Sequence, residues 1–459
     1  MADLKIFTEN IEHEALNQIY TLIKQPAFSD CKIRIMPDVH AGAGCVIGFT
    51  ADLGEKVIPN IVGVDIGCGM LTTNLGNIDI DFERLDNVIR KYVPSGRKVH
   101  EEENSSVASD IIEKLYCKEQ LKNIDWLKRS CGTLGGGNHF IEVDSDSKNN
   151  KYLVIHSGSR NVGKQVAEIY QRMAIDDISG KSNFKQDSEK LIAEYKKCKR
   201  ERKISKAIKE LKQSYETNTT KIPRELSYLV GKHREMYLHD MKLCQEFAEI
   251  NRRAIQSIIC YYMGWKVTKE TERFQTIHNY IEHDTNIVRK GAISAKTGEK
   301  VLIPINMRDG CILGIGKGNE DWNYSAPHGA GRTMSRSKAK ESILLEEYQK
   351  AMDGIFTTSV NTSTIDESPM AYKTMDEIIG NIKDTVEIVD IIKPMFPTSI
   401  TGSSSTYYPD GCWFNIAIIA FALFGGILSY SRLCGAFCVH LNAVAGSAWW
   451  ALGASLSYK

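Results

Sequence analysis

Apolar and polar positions along residues 1–100 change over in short runs rather than with a helical repeat. The stretches CKIRIMPDVHAGAGCVIGFTADL (31–53) and VIPNIVGVDIGCGMLTTNL (57–75) predict strands interrupted by glycine-rich loops. Between such units, FERLDNVIRKYV (82–93) spaces its apolar residues three and four apart and predicts a helix. KYLVIHSGSRNVG (151–163) predicts a buried strand running into a polar turn at His156, and KVLIPINMRDGCILGIGKGN (300–319) predicts two more strands. Helices and strands alternate irregularly, which gives a mixed sheet core of the α/β or α+β class.

Two regions break this rhythm. From 181 to 224 Lys and Arg outnumber Asp and Glu, and Ile204, Ile208, Leu211 and Tyr215 recur at helical spacing. A basic helical insertion is expected there, presenting either a solvated face or a surface for nucleic acid. From 401 to 459 the chain turns apolar: CWFNIAIIAFALFGGILSY (412–430) carries no charge and has near-spanning length. The predicted organisation is one domain over 1–400 containing the 181–224 insertion, followed by an atypical apolar tail over 401–459. Membrane contact is expected only if that tail inserts.

Bulk composition narrows the class but not the partner. With 42% hydrophobic and 25% charged residues, the 459-residue chain has the make-up of a soluble globular protein. A formal charge of +1 points to no partner, so recognition has to come from local clusters. The 12 cysteines form no CxxC pair or compact framework, and MADLKIFTEN lacks an apolar signal core. A reducing, cytoplasmic location is expected, with cysteines such as Cys31, Cys117 and Cys260 acting as small buried hydrophobes.

The glycine-rich loops share a chemical feature: most carry a metal-ligand residue type. VDIGCGM offers Asp65 and Cys68, GTLGGGNHFIEV offers Asn138 and His139, VIHSGSR offers His156, TIHNYIEH offers His278 and APHGAGR offers His328. Each is weak alone; five at strand–turn boundaries point to one site. A thiolate has lone pairs for two cations, and by ligand softness Cys with several His suggests zinc, while Asp65 and an open position permit manganese or iron. His40, in PDVHAGAG, is a candidate for contact with substrate or metal. His283 is at most an outer contact of the site. His13, His100, His233, His239 and His440 have no glycine loop beside them and read as surface or packing residues.

The turn His328-Gly329-Ala330-Gly331-Arg332 presents backbone N–H groups suited to phosphate oxygens, with an arginine able to pair with phosphate. An imidazole there is either a further metal ligand or a nucleophile that carries a phosphoryl or nucleotidyl group. Spacing alone does not choose.

PDVHAGAGCVIGF, VGVDIGCGM, GTLGGGNHFIEV, HSGSRNVG, HNYIEH and HGAGRTMSR together resemble, in order, the signature segments of the RtcB family of RNA-splicing ligases; the likeness runs from about residue 3 to 394. The resemblance implies an RtcB-like α+β fold and a GTP- and manganese-dependent enzyme. Such an enzyme joins RNA 3′-phosphate or 2′,3′-cyclic phosphate ends to 5′-hydroxyl ends, in the manner of tRNA splicing and RNA repair. It implies Asp65, Cys68, His139, His156 and His278 as ligands of two Mn²⁺ ions bridged by Cys68, and His328 as the histidine that becomes guanylylated. It further implies nucleotide contacts from Asn138, His139, Phe140, Ile141 and Glu142, from His278 and Asn279, from Pro304, Ile305, Asn306 and Met307, from Cys311, and from His328, Gly329, Ala330 and Gly331. An archease-type activator is an implied partner. Manganese then replaces the zinc that softness favours.

Two departures from the family stand out. Relatives carry Ser in the RDGS turn where this chain has Cys311, and after Lys393-Pro394 the sequence MFPTSITGSSS lacks the lysine that closes the family's nucleotide site. Two other readings follow from these departures and from the metal set: a non-catalytic RNA end-binding protein, and a metal-dependent phosphoesterase acting on cyclic phosphate ends.

Overall fold

The computed structural model describes residues 2–198, 200–217 and 222–399. The apolar run at 412–430, His440 and the rest of the expected tail lie outside the described residues. Among the described residues, no helix is long and apolar enough to cross a membrane.

The chain forms a mixed α+β fold around two large sheets. The first has five strands in the order Asp3–Ile6, Lys32–His40, Ile47–Asp52, Ile287–Lys290 and Asn279–Ile281. Its first two strands are parallel, so the connection must cross over, and the helix His13–Ile23 makes that crossing. Ala15, Ile19 and Leu22, spaced four and three apart, form the buried stripe of that helix.

The second sheet has seven strands, in the order Lys300–Asn306, Gly310–Gly316, Val386–Ser399, Phe140–Ser145, Lys151–Ser157, Gly69–Gly76 and Arg273–Ile277. Every pairing is antiparallel. Its outer strands approach each other, with Lys300 ion-paired to Glu272, and the sheet curls to near closure as a barrel. Met70, Tyr152, Val154, Leu302, Cys311 and Ile392 pack together as one buried cluster of this sheet.

Helices flank this sheet. The 33-residue helix Gly231–Met263 buries a continuous stripe from Tyr237 through Cys244, Phe247, Asn251, Ile255 and Ile259. Phe82–Tyr92 packs on it, begun by the Asp81 side chain accepting the Arg84 N–H at 2.9 Å. Helices Lys181–Lys197 and Ile204–Thr217 pack against each other within the basic segment.

One sequence expectation fails locally. VIPNIV, expected to be extended, forms the short helix Pro59–Val62. Proline at its start is already set for helical φ, and Gly63, at φ 94°, ends it after one turn. The polar turn expected at His156 is also displaced: His156 lies within the strand, and the helix Arg160–Ile178 begins three residues after Ser157.

Candidate active site

Strand register assembles the site. Gly69 pairs with both Ser157 and Ile277, Met70 with His156, and Phe140 with His156. Cys68, His139, His156 and His278 therefore stand at adjoining strand ends along one edge of the curled sheet. All four are buried.

Their side chains converge. The Cys68 sulfur lies 3.4 Å from His139 Nε2 and 3.3 Å from His156 Nε2, and His156 Nε2 is 3.4 Å from His278 Nε2. Asp65 Oδ2 is 2.9 Å from His139 Nε2. Two triads of metal-ligand atoms result, Asp65–Cys68–His139 and Cys68–His156–His278, each with its atoms within 4.8 Å of one another. Both contain Cys68. The donor set fits two cations sharing one sulfur.

The ring orientations are fixed from behind. His139 Nδ1 faces the Leu134 carbonyl at 2.9 Å and His156 Nδ1 faces the Asn138 carbonyl at 3.1 Å. A proton on Nδ1 shared with those carbonyls would leave each Nε2 free for a cation. Burial, followed by the charges of neighbouring imidazoles, holds His156 and His278 well below the ordinary histidine range, so both are neutral at pH 7. Burial and the Asp65 charge push the Cys68 thiol well up. A bound cation reverses that balance by stabilising the thiolate. Gly158 makes room for the first triad, since a Cβ there would lie 2.1 Å from Asp65 Oδ1.

His328 follows the short strand Ser325–Pro327, and its ring centroid lies 4.7 Å from that of His278. Its Nδ1 is 2.6 Å from Asp38 Oδ2, which also accepts the His328 backbone N–H at 3.1 Å. Asp38 is fully buried. Gly331 closes the turn at φ 75°, where a Cβ would lie 2.2 Å from the Asp38 carbonyl oxygen.

A cavity opens beside both groups. Asp65, Cys68, His156 and His278 line it together with His328, Gly329, Ala330, Gly331, Asn138, Phe140, Glu142 and Asn279, and with the run Pro304, Ile305, Asn306 and Met307. His40, Pro397 and Thr398 add to its wall. The Asn279 side chain donates to the Asp65 carbonyl and accepts the Gly291 N–H, and the Asn306 side chain is occupied within its own turn. Ile141 points away, into an apolar cluster with Leu85, Ile89 and Phe396. Cys311 is buried beneath, its thiol donating to Glu142 Oε1 at 3.1 Å.

Arg332, read as a phosphate partner, uses its guanidinium on Met334, Tyr372 and Asp366 and lies over the Tyr372 ring. His283 is exposed against Asp284, away from the cavity lining. Sequence reading missed Asp38, Asn251 and Arg252. Arg252, buried on the long helix, donates to the carbonyls of Gly67 at 2.9 Å and Ser157 at 2.8 Å, next to Cys68 and His156. Asn251 accepts from the N–H groups of Gly132 and Thr133 and donates to Ser157 and Gly158. The signal for Asn251 and Arg252 was polarity on a largely apolar helical stripe, shared with Asp240 and Gln256, and Asp38 carried none.

Comparison with known proteins adds a second line of observation. A family model described as tRNA-splicing ligase RtcB matches residues 18–126 and 113–399. The chain is similar to RNA-splicing ligase RtcB1 of Escherichia coli, 30% identical over 429 residues, covering 84% of this chain and 95% of the relative. RNA-splicing ligase RtcB of Escherichia coli K12 is equally similar, with 30% identity over 429 residues and the same coverage. tRNA-splicing ligase RtcB of Aeropyrum pernix is 26% identical over 447 residues, covering 80% of this chain and 87% of the relative.

Proposed function

From the premise that this chain belongs to the RtcB family of RNA ligases and is an enzyme of RNA-end ligation, we propose that it works through a guanylylated His328, with GTP and two manganese ions. The substrates are RNA 3′-phosphate or 2′,3′-cyclic phosphate ends and 5′-hydroxyl ends. The observation that carries this reading is the 2.6 Å contact of His328 Nδ1 with buried Asp38. It supports a tautomer in which Nδ1 holds the proton and Nε2 keeps a lone pair, as a nitrogen nucleophile requires.

Asp65, Cys68, His139, His156 and His278 would hold the two cations, whose chemistry is to withdraw charge from phosphate oxygens. Manganese rather than zinc rests on the family resemblance. His328 Nε2 attacks the α-phosphorus of GTP, forming a P–N bond as pyrophosphate leaves. Asp38 keeps the Nδ1 proton and steadies the cationic ring that forms. The 3′-phosphate oxygen of the RNA then attacks the same phosphorus, breaking the P–N bond and returning His328 to its starting form. That transfer gives the 3′-phosphorus a good leaving group, and the 5′-hydroxyl oxygen then attacks it, GMP departing and the hydroxyl proton passing to solvent. A cyclic end needs hydrolysis to the 3′-phosphate first. Gly329, Ala330 and Gly331 line the cavity, where their backbone N–H groups would meet the phosphate oxygens as charge gathers on them. An archease-type protein remains the partner the resemblance implies for activation.

The test is incubation with Mn²⁺ and α-labelled GTP. Acid-labile label on the wild type and none on His328→Ala is the expected result. No label on the wild type, or equal label on the variant, overturns the proposal. Opening of a cyclic end with neither label on the protein nor a joined product when GTP is supplied would favour the phosphoesterase reading instead.

A further inference from the structure

An aromatic and basic patch lies outside the cavity lining, where the C-terminal end of Gly231–Met263 meets Phe82–Tyr92. The Tyr92 and Tyr262 rings stack with centroids 3.6 Å apart and planes 7° from parallel. Tyr261 stands against Tyr262 at 83°, with centroids 5.1 Å apart. At 79% it is the most exposed large hydrophobic side chain among the described residues. The Tyr262 carbonyl accepts from Arg84 at 2.7 Å, and Lys91 Nζ lies 5.1 Å from the Tyr92 centroid. Lys266 and Lys269, both exposed, follow within seven residues of Tyr262. Across 82–98 and 253–273, nine Lys and Arg stand against four Asp and Glu, so the patch carries a positive excess. Two of those four acids, Asp86 and Glu272, are already ion-paired with Arg90 and Lys300.

The patch is also tied to the cavity wall. Thr357 donates to the Pro397 carbonyl at 2.7 Å, and Pro397 lines the cavity. Thr358 donates to Asp86 at 2.9 Å, and Asp86 pairs with Arg90, two residues before Tyr92. A single exposed tyrosine needs no explanation, but one braced by a second ring, within a cluster of cations, is a surface built to receive something.

We propose that Tyr261, braced by Tyr262 and Tyr92, is a stacking platform for single-stranded RNA, engaging unpaired nucleotides several positions away from the end held in the cavity. The inference rests on the RNA-end reading above for its ligand class and adds the surface over which the strand runs. Every base has a π-face, so a firmly held tyrosine ring stacks on it without reading sequence. Lys91, Lys266 and Lys269 supply the charge that the phosphates on either side require. RNA is favoured over a protein partner because ring faces and a positive excess occur together, beside the wall of the cavity proposed to take RNA ends.

The test is fluorescence anisotropy of labelled RNA bearing a 3′-phosphate, bound to the full chain with no GTP present. Two lengths are compared, a dinucleotide and a single strand of about a dozen nucleotides, within the range that such surfaces accommodate. Tyr261→Ala should raise the Kd of the longer RNA about 5–50-fold and leave that of the dinucleotide within about twofold. Tyr261→Phe, which keeps the ring, should match the wild type. Lys266→Gln should flatten the plot of log Kd against log salt for the longer RNA by about 0.7. A longer-RNA Kd unmoved by Tyr261→Ala overturns the proposal and leaves the patch to a protein partner. An equal loss for both lengths, or an equal loss with Tyr261→Phe, overturns it too. Should Tyr261→Ala not fold, the Lys266→Gln slope decides, and an unchanged slope sinks the platform. Failure of the wild type to take label from GTP would remove the guanylylation reading alone and leave this binding result standing.

Discussion

Asp38 and His328 are joined twice, through the imidazole Nδ1 at 2.6 Å and through the His328 backbone N–H at 3.1 Å, by one carboxylate oxygen. Side chain and turn are thus set by a single buried atom. Asp38→Asn should fold, since an amide oxygen can still accept from the backbone. Its labelling by GTP should fall by about 10²–10⁴-fold, because the amide no longer steadies an imidazolium. A single-turnover labelling time course measures this, and a rate within twofold of the wild type would remove Asp38 from any positioning role.

Because Cys68 belongs to both triads, its loss should behave unlike loss of any histidine. Cys68→Ala should weaken Mn²⁺ binding at both proposed cation sites. His139→Ala should weaken one of them, and His278→Ala the other. Equilibrium dialysis with free Mn²⁺ read by electron paramagnetic resonance gives the stoichiometries. Identical losses in all three variants would show that the sulfur is not shared.

Gly158→Ala places a methyl 2.1 Å from Asp65 Oδ1 and must push that carboxylate aside. We expect affinity at one cation site to fall about 10–100-fold, with the other unchanged, since movement of a ligand support typically costs this much. A biphasic Mn²⁺ isotherm whose tight phases stay equal would rule this out.

Glu367 gives a pH signature outside the metal triads. It is buried, and although burial works to raise its pKa, the charges of Arg336 and Arg332 and the Tyr372 hydrogen bond hold it down at about 2. A folded value below the unfolded one means that its contribution is full above the ordinary carboxyl value of 4.5 and is lost as pH falls toward about 2. At pH 6 the wild type should be more stable than Glu367→Gln by on the order of 3 kcal/mol. The gap should close on acidification, as followed by denaturant unfolding at a series of pH values. A gap independent of pH would contradict the assignment.

The sequence announced the metal-ligand residues because their loops are unusual: a Cys or His beside glycines has little packing role, and His40, Cys68, His156, His278 and His328 all line one cavity. Strand patterning likewise located the runs that became Lys32–His40, Lys151–Ser157 and Lys300–Asn306. What pattern could not convey was cross-strand register. Asp38 is an ordinary acid between Pro37 and Val39 until the fold sets it beside a residue 290 positions away. Glu142 and Cys311 were noticed only through the family resemblance, because their meeting depends on two strands on either side of Val386–Ser399. VIPNIV misled because a strand-like composition was overruled by one proline at a chain reversal.

The Arg252 guanidinium spans the Gly67 and Ser157 carbonyls from a helix that also anchors the sheet. The spacing between the sulfur and its imidazoles is therefore inherited from the scaffold before any ion arrives. Ion capture by such a preformed cradle carries little ordering cost, and stripping the ions with a chelator should leave a sharp, cooperative melt. Damage deep in that helix, none of whose residues lines the cavity, would surface as a loading defect and masquerade as a catalytic one.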